Sequence, residues 1–154
     1  MKPTKILFVC LGNICRSPAA EGVMKSLAKG LPIEIQSAGT AGYHIGELPD
    51  ARMRSHAGKR GYDLISHARQ FDPAVDFEKF DRIIAMDGSN LRDLKAMDRN
   101  KIFHHKLSLM TDYSQKMDVN EVPDPYYGGP DGFEHVLDIL EDACKGLLLQ
   151  LLKQ

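Results

Sequence analysis

The sequence predicts an α/β fold: a single domain in three layers, with a four-stranded parallel sheet and helices on both of its faces. Two observations carry this. Short runs of β-forming residues alternate with segments of helical periodicity along the chain, the pattern of βαβ units and so of parallel strands. The run Arg82-Ile83-Ile84-Ala85-Met86 is also almost continuously apolar, as a strand covered on both faces requires. Right-handed crossovers then bring every strand's C-terminal end to one edge, which is where such sheets bind ligands.

The first strand, Ile6-Leu7-Phe8-Val9, ends on Cys10. Leu11-Gly12-Asn13-Ile14-Cys15 form a loop, followed by Arg16, Ser17 and Pro18, the last a residue at which a helix can begin. From Ala19 to about Lys29 the spacing predicts a helix with Ala20, Val23, Met24 and Leu27 on one face, stopped by Gly30. Ile33 to Ala38 alternates apolar and polar residues and reads as the second strand, and Gly39 to Pro49 as loop. Asp50 is placed to cap a helix carrying Ala51, Met53, Arg54 and Ala57 up to Gly61. Between Ser66 and Phe80 a short extended piece precedes Asp72-Pro73, a helix-start signal. Arg82 to Met86 is the third strand, and Asp87 or Ser89 caps the helix holding Leu91, Leu94 and Met97. Lys106 to Met110 is the fourth strand, and 111–130 reads as a long loop containing Pro123, Pro125 and Pro130. In the last helix Phe133, Val136, Leu137, Leu140, Ala143, Cys144, Leu147, Leu148 and Leu151 follow the 3/4 spacing.

The 154 residues suffice for one compact domain with its own core. A net charge of −1 gives no reason to expect a nucleic-acid or other polyanionic partner. Three cysteines, an odd number, do not make a secreted disulfide framework. Lys2-Pro3-Thr4-Lys5 runs directly into a strand without a signal-peptide pattern. No apolar stretch approaches the roughly 20 residues that span a bilayer. The expectation is a cytoplasmic protein without membrane insertion.

Chemistry concentrates at Cys10 to Ser17. A loop wrapped over a helix N-terminus offers backbone N–H groups and partial positive charge to an anion. Arg16 adds a planar fork that matches two oxygens of a phosphate. The same field favours an anionic sulfur on Cys10, making it a nucleophile beneath a tetrahedral-anion cradle. The alternative is a buried strand-end cysteine. Against it stand the apolar strand before Cys10, Gly12 where backbone must come close, Ser17 after the arginine, and Pro18.

The run Val9-Cys10-Leu11-Gly12-Asn13-Ile14-Cys15-Arg16-Ser17-Pro18 resembles the low-molecular-weight protein tyrosine phosphatases. Four further segments resemble that family in its order: Ser37-Ala38-Gly39, Ala68-Arg69-Gln70, Met86-Asp87-Gly88-Ser89-Asn90-Leu91 and Asp124-Pro125-Tyr126-Tyr127-Gly128. The resemblance covers nearly the whole chain. It implies one phosphatase domain over 1–154, strand order 2-1-3-4, and hydrolysis of phosphotyrosine and small aryl phosphates through a phosphocysteine on Cys10. It implies no cofactor and no metal. The implied partner is a tyrosine-phosphorylated protein, a tyrosine kinase among the options, and a monomer is expected.

Leu11, Gly12, Asn13, Ile14, Cys15 and Ser17 then form the phosphate-binding loop with Arg16. Asp124, in a proline-stiffened segment, reads from residue type alone as either a turn aspartate or an acid–base group; the resemblance assigns it general acid, then base. Ser17 can donate to the sulfur, cap the helix, or both. Asn13 tolerates left-handed backbone and bonds to neighbouring main chain, and the resemblance implies a supporting network with Ser37, otherwise an ordinary strand-end serine. It also implies a reversible Cys10–Cys15 disulfide, against the alternative that Cys15 is a small packing residue. Cys144 is core, and His104, His105 and His135 are surface or strand-edge residues. Tyr43, Tyr126 and Tyr127 either wall an aryl slot or pack loops to the core. Ile14 favours aryl phosphate, because a related phosphoarginine branch carries threonine there. The family pattern has a histidine two positions before Ala-Arg-Gln, where this chain has Ser66, with His67 displaced by one.

Two other functions share parts of this pattern. An arsenate reductase on a similar fold needs resolving cysteines in mid-chain, and none lies between Cys15 and Cys144. A silent phosphate-binding module predicts a missing nucleophile, arginine or acid, and Cys10, Arg16 and Asp124 are all present.

Overall fold

The computed structural model describes residues 2–125 and 129–154. β1 (Thr4–Cys10) lies at the centre of a four-stranded sheet. It pairs in parallel with β2 (Ile33–Gly39) from Thr4↔Ile33 to Cys10↔Gly39. On its other side it pairs with β3 (Arg82–Ala85) from Ile6↔Arg82 to Val9↔Ala85. β4 (Leu107–Leu109) completes the sheet beside β3, giving the order β2-β1-β3-β4. Because the strand period is two, β1 feeds both cores. Ile6 and Phe8 join the helices α1 (Arg16–Leu27), α2 (Ala51–Lys59) and α5 (Pro130–Leu152), where Val23, Met53, Val136 and Leu140 are buried. Leu7 and Val9 pack on the opposite side with Phe71, Phe80, Phe77 of α3 (Asp76–Lys79) and Leu94 of α4 (Gly88–Met97).

The layers and strand order are those expected, and the boundaries differ for local reasons. α1 begins at Arg16, three residues before the expected start at Ala19, because Pro18 falls in the first turn, where no intrahelical N–H bond is required of it. It ends at Leu27, with Gly30 at φ 83° just beyond. Asp50 caps α2 as expected, accepting from the N–H groups of Arg52 and Met53. Asp87, not Ser89, caps α4. The segment 111–130 is not all loop: a 3-10 turn spans Met110–Tyr113, and α5 starts at Pro130, its first residue. His104 is in a second 3-10 turn (His104–Lys106) and its Nδ1 is 2.5 Å from the buried carboxylate of Asp98. Among the described residues no helix is long and apolar enough to cross a membrane.

Helix α5 lies so close to the Met110–Tyr113 turn that a Cβ on Gly146 would sit 1.9 Å from the Tyr113 carbonyl oxygen. Gly146→Ala is therefore expected to lower stability by about 3 kcal/mol through forced backbone displacement. Urea unfolding monitored by circular dichroism measures this, and a midpoint equal to the parent's would contradict the packing.

Candidate active site

β1 delivers Cys10 to the C-terminal edge of the sheet, and five residues later the chain enters α1. That short passage works because Asn13 adopts the left-handed conformation at φ 57°. Its side chain is tied down at both ends. Oδ1 accepts the Arg69 backbone N–H at 3.0 Å, and Nδ2 donates to Ser17 Oγ and Ser37 Oγ, each at 2.9 Å. Arg69 is itself fixed by an ion pair to the buried Asp76, at 2.9 Å. The start of the loop is clamped by the chain leaving β2: the N–H groups of Thr40 and Ala41 donate to the carbonyls of Cys10 and Leu11, both at 2.9 Å. This approach requires Gly39, where a Cβ would fall 2.7 Å from the Leu11 oxygen.

Ser17 does not cap α1: the helix has Cys15 at its N-cap and no side-chain cap bond. Its hydroxyl lies instead 3.0 Å from Cys10 Sγ, on the buried side of the loop. Cys10 is only 3% exposed and forms the floor of a cleft of about 310 Å³. Leu11, Gly12, Ile14, Cys15 and Arg16 line the cleft from the loop, Tyr43 and His44 from the segment after β2, and Asp124 from the segment before α5. Asn13, Ser17 and Ser37 stand behind the loop rather than in the cleft. Tyr43 is 75% exposed, so its ring is a free wall at the rim and not a packing residue. Tyr126 and Tyr127 lie outside the described residues.

Arg16 is buried, and its guanidinium is held by groups from two other parts of the chain. Nη1 donates to Asp87 Oδ2 at 2.6 Å and to the Val122 carbonyl at 3.1 Å, while Nη2 lies 3.8 Å from Asp124 Oδ2. Burial opposes its charge, yet the Cys10 sulfur, the hydrogen-bonded Asp87 and Asp124 outweigh that effect and hold it more firmly protonated than usual. Cys15 shows the opposite logic. Burial, then Cys10, Asp50 and Asp124, push its thiol far above the ordinary range despite the opposing Arg16. Burial, then Glu141, does the same to Cys144.

Sequence reasoning missed four contributors. From the sequence Asp87 reads only as the α4 cap, which it also is, accepting the Asn90 N–H at 2.8 Å. Val122 contributes a main-chain carbonyl, which no residue-type argument can find. His44 lines the cleft with Nδ1 bonded to Glu47 at 2.7 Å. Glu21, buried on α1, accepts from Ser37 Oγ at 2.5 Å. Glu21 carries no signal of this in the sequence, where it reads as the partner of Lys25 one turn on. Ser66, which stands where the family pattern has a histidine, makes no hydrogen bond among the described residues, and the displaced His67 is exposed.

Residues 5–154 match the family described as low molecular weight phosphotyrosine protein phosphatase. A Synechocystis sp. protein named among the low molecular weight protein-tyrosine-phosphatases is 53% identical over 154 residues, covering 97% of this chain and 98% of that one. The Homo sapiens low molecular weight phosphotyrosine protein phosphatase is 40% identical over 148 residues, covering 93% and 92%. Among solved structures, a protein tyrosine phosphatase from Entamoeba histolytica superimposes with a TM-score of 0.92 at 45% identity, covering 97% of each chain.

The raised thiols of Cys15 and Cys144 remain protonated at neutral pH and supply little reactive thiolate. Iodoacetamide on the native protein, followed by peptide mass mapping, is expected to modify Cys10 at least about tenfold faster than either. Comparable labelling of Cys15 would contradict the upward push on its thiol.

Proposed function

The chain belongs to the low molecular weight phosphotyrosine protein phosphatase family and is a protein-tyrosine phosphatase, and on that premise we propose how its residues divide the work. Cys10 Sγ attacks the phosphorus of a phosphotyrosine, forming an S–P bond as the P–O bond to the ring breaks. Asp124 gives its proton to the departing phenolic oxygen. Water then attacks the phosphocysteine while Asp124 takes a proton from it, so inorganic phosphate leaves and the thiolate returns. Arg16 and the loop of Leu11 to Cys15 hold the non-bridging oxygens and bear the transition-state charge. Ser17 steadies the sulfur as attacking and as leaving group.

The observation that carries this assignment is the convergence of Cys10, Arg16 and Asp124 on one cleft, with Cys10 at its floor and Asp124 near the guanidinium. The exposed ring of Tyr43 supports an aryl phosphate as the entering group, Ile14 facing the same space. All three elements come from one chain, which supports action as a monomer, and the free cysteines support a reducing, cytoplasmic setting. Cys15, free and in the same cleft as Cys10, supports a reversible disulfide between them under peroxide, sparing the nucleophile from irreversible oxidation.

Hydrolysis of para-nitrophenyl phosphate and of a phosphotyrosine peptide in EDTA tests the reading. Cys10→Ser is expected to abolish turnover, and rates equal to the parent's would remove Cys10 as nucleophile. Asp124→Ala is expected to lower kcat by about 10²–10³ while vanadate binding changes little. Comparable losses in both would make Asp124 structural. Phosphoarginine is expected to be a poor substrate for the same protein.

A further inference from the structure

Where β3 gives way to α4, three consecutive residues, Met86, Asp87 and Gly88, form a ledge, and each receives a different group. The Met86 carbonyl accepts the Val122 N–H at 2.8 Å, and the Asp87 carboxylate accepts Arg16 Nη1 at 2.6 Å. The N–H of Gly88, the first residue of α4, donates to Glu121 Oε1 at 2.9 Å. An ionised carboxylate in that place meets an N–H with no intrahelical acceptor and the positive end of the helix dipole. Glu121 does not line the cleft, and it lies 33 positions along the chain from Gly88. Its contact ties the segment that carries Asp124 to the start of α4.

The side chain of Asp124 is 48% exposed, so packing does not decide where it points; the backbone beneath it does. Pro123, between Val122 and Asp124, fixes its own φ, and Pro125 restricts the backbone of Asp124. The orientation of Val122 is therefore passed to Asp124 with little slack. Val122 alone leaves one freedom. Its N–H is held by Met86 and its carbonyl by Arg16, and two bonds through one residue permit rotation about the line joining them. An attachment off that line removes the rotation. Going back along the chain, Glu121 supplies the first such attachment, and Thr111 Oγ1, donating to the Asn120 carbonyl at 2.8 Å, supplies the next.

We propose that Glu121 is a positioning residue for Asp124, holding its segment at the angle from which the carboxyl reaches the leaving oxygen. The inference rests on Asp124 being the general acid. Without the bond to Gly88 the segment keeps its root on Met86 and Arg16 but rocks about it. The carboxyl then meets the departing oxygen less often. The phosphate loop makes no contact with Glu121, so anion binding and the attack by Cys10 are unchanged. The loss falls on substrates whose leaving group needs a proton.

The dependence of kcat/KM on the leaving group reads proton delivery in the first transfer and separates this role from a merely structural one. Glu121 is exposed, so Glu121→Ala leaves no cavity and its melting temperature should match the parent's. It is expected to lower kcat/KM about fivefold for phenyl phosphate and less than about twofold for para-nitrophenyl phosphate, whose ring oxygen departs readily without a proton. Glu121→Gln keeps an acceptor for the Gly88 N–H and is expected to stay within about twofold of the parent on both substrates. In an Asp124→Ala background, adding Glu121→Ala is expected to change neither rate by more than about twofold. Vanadate is expected to bind Glu121→Ala and the parent alike. Parental activity of Glu121→Ala on phenyl phosphate, equal losses on the two substrates, or a loss that persists without Asp124 would overturn the proposal. An Asp124→Ala protein that hydrolyses phenyl phosphate at the parent's rate would instead overturn the assignment beneath it.

Discussion

An asparagine with φ 57° is the constraint on which the site depends. For an L-residue the left-handed conformation costs roughly 1–2 kcal/mol, and the fold meets that cost with three hydrogen bonds to one side chain. The reversal at Asn13 lets the chain leave a central strand and start a helix within five residues, putting the sulfur of Cys10 and the guanidinium of Arg16 on the same cleft. The groups that hold Asn13 come from β2, α1 and the segment before α3. The loop's shape is therefore a property of the assembled sheet and not of its own sequence.

Arg16 couples the loop to the rest of the sheet edge. Asp87 caps α4 and also receives the guanidinium, so the end of β3 and the start of α1 share one carboxylate. Val122 is held at both of its main-chain groups, its N–H on the Met86 carbonyl at 2.8 Å and its own carbonyl on Arg16. Asp124 follows two residues later. The residue proposed as acid is thus carried by a segment whose root is pinned to the same arginine that would hold the phosphate. One buried cation organises both halves of the proposed reaction.

Much of this molecule is local in the chain and so could be read from it. The strand–loop–helix unit, the thiol, the arginine six positions on, the alternation of elements and the long apolar stripe of α5 each declare themselves within a few turns or a single strand. The role proposed for Asp124 rests on resemblance and not on residue type, since an aspartate before proline is ordinary in turns. Boundaries were less secure. α1 starts earlier than its apolar period because its first turn serves the loop, and a 3-10 turn lies in a stretch whose prolines pointed only to irregular chain.

By itself, then, the sequence determined the order of the layers, the Cys10–Arg16 loop and the family, because periodicity and short spacings are properties of neighbouring residues. Only the tertiary structure decided which groups hold Arg16 and Asn13. Asp87 and Val122 reach Arg16 from 71 and 106 positions away, and Arg69 reaches Asn13 from 56. Glu21 likewise has no visible task until β2 brings Ser37 against it. Hydrogen bonds between residues so far apart leave no period or spacing along the chain. They exist only once the parallel pairing of β1 with β2 and β3 has placed those ends side by side.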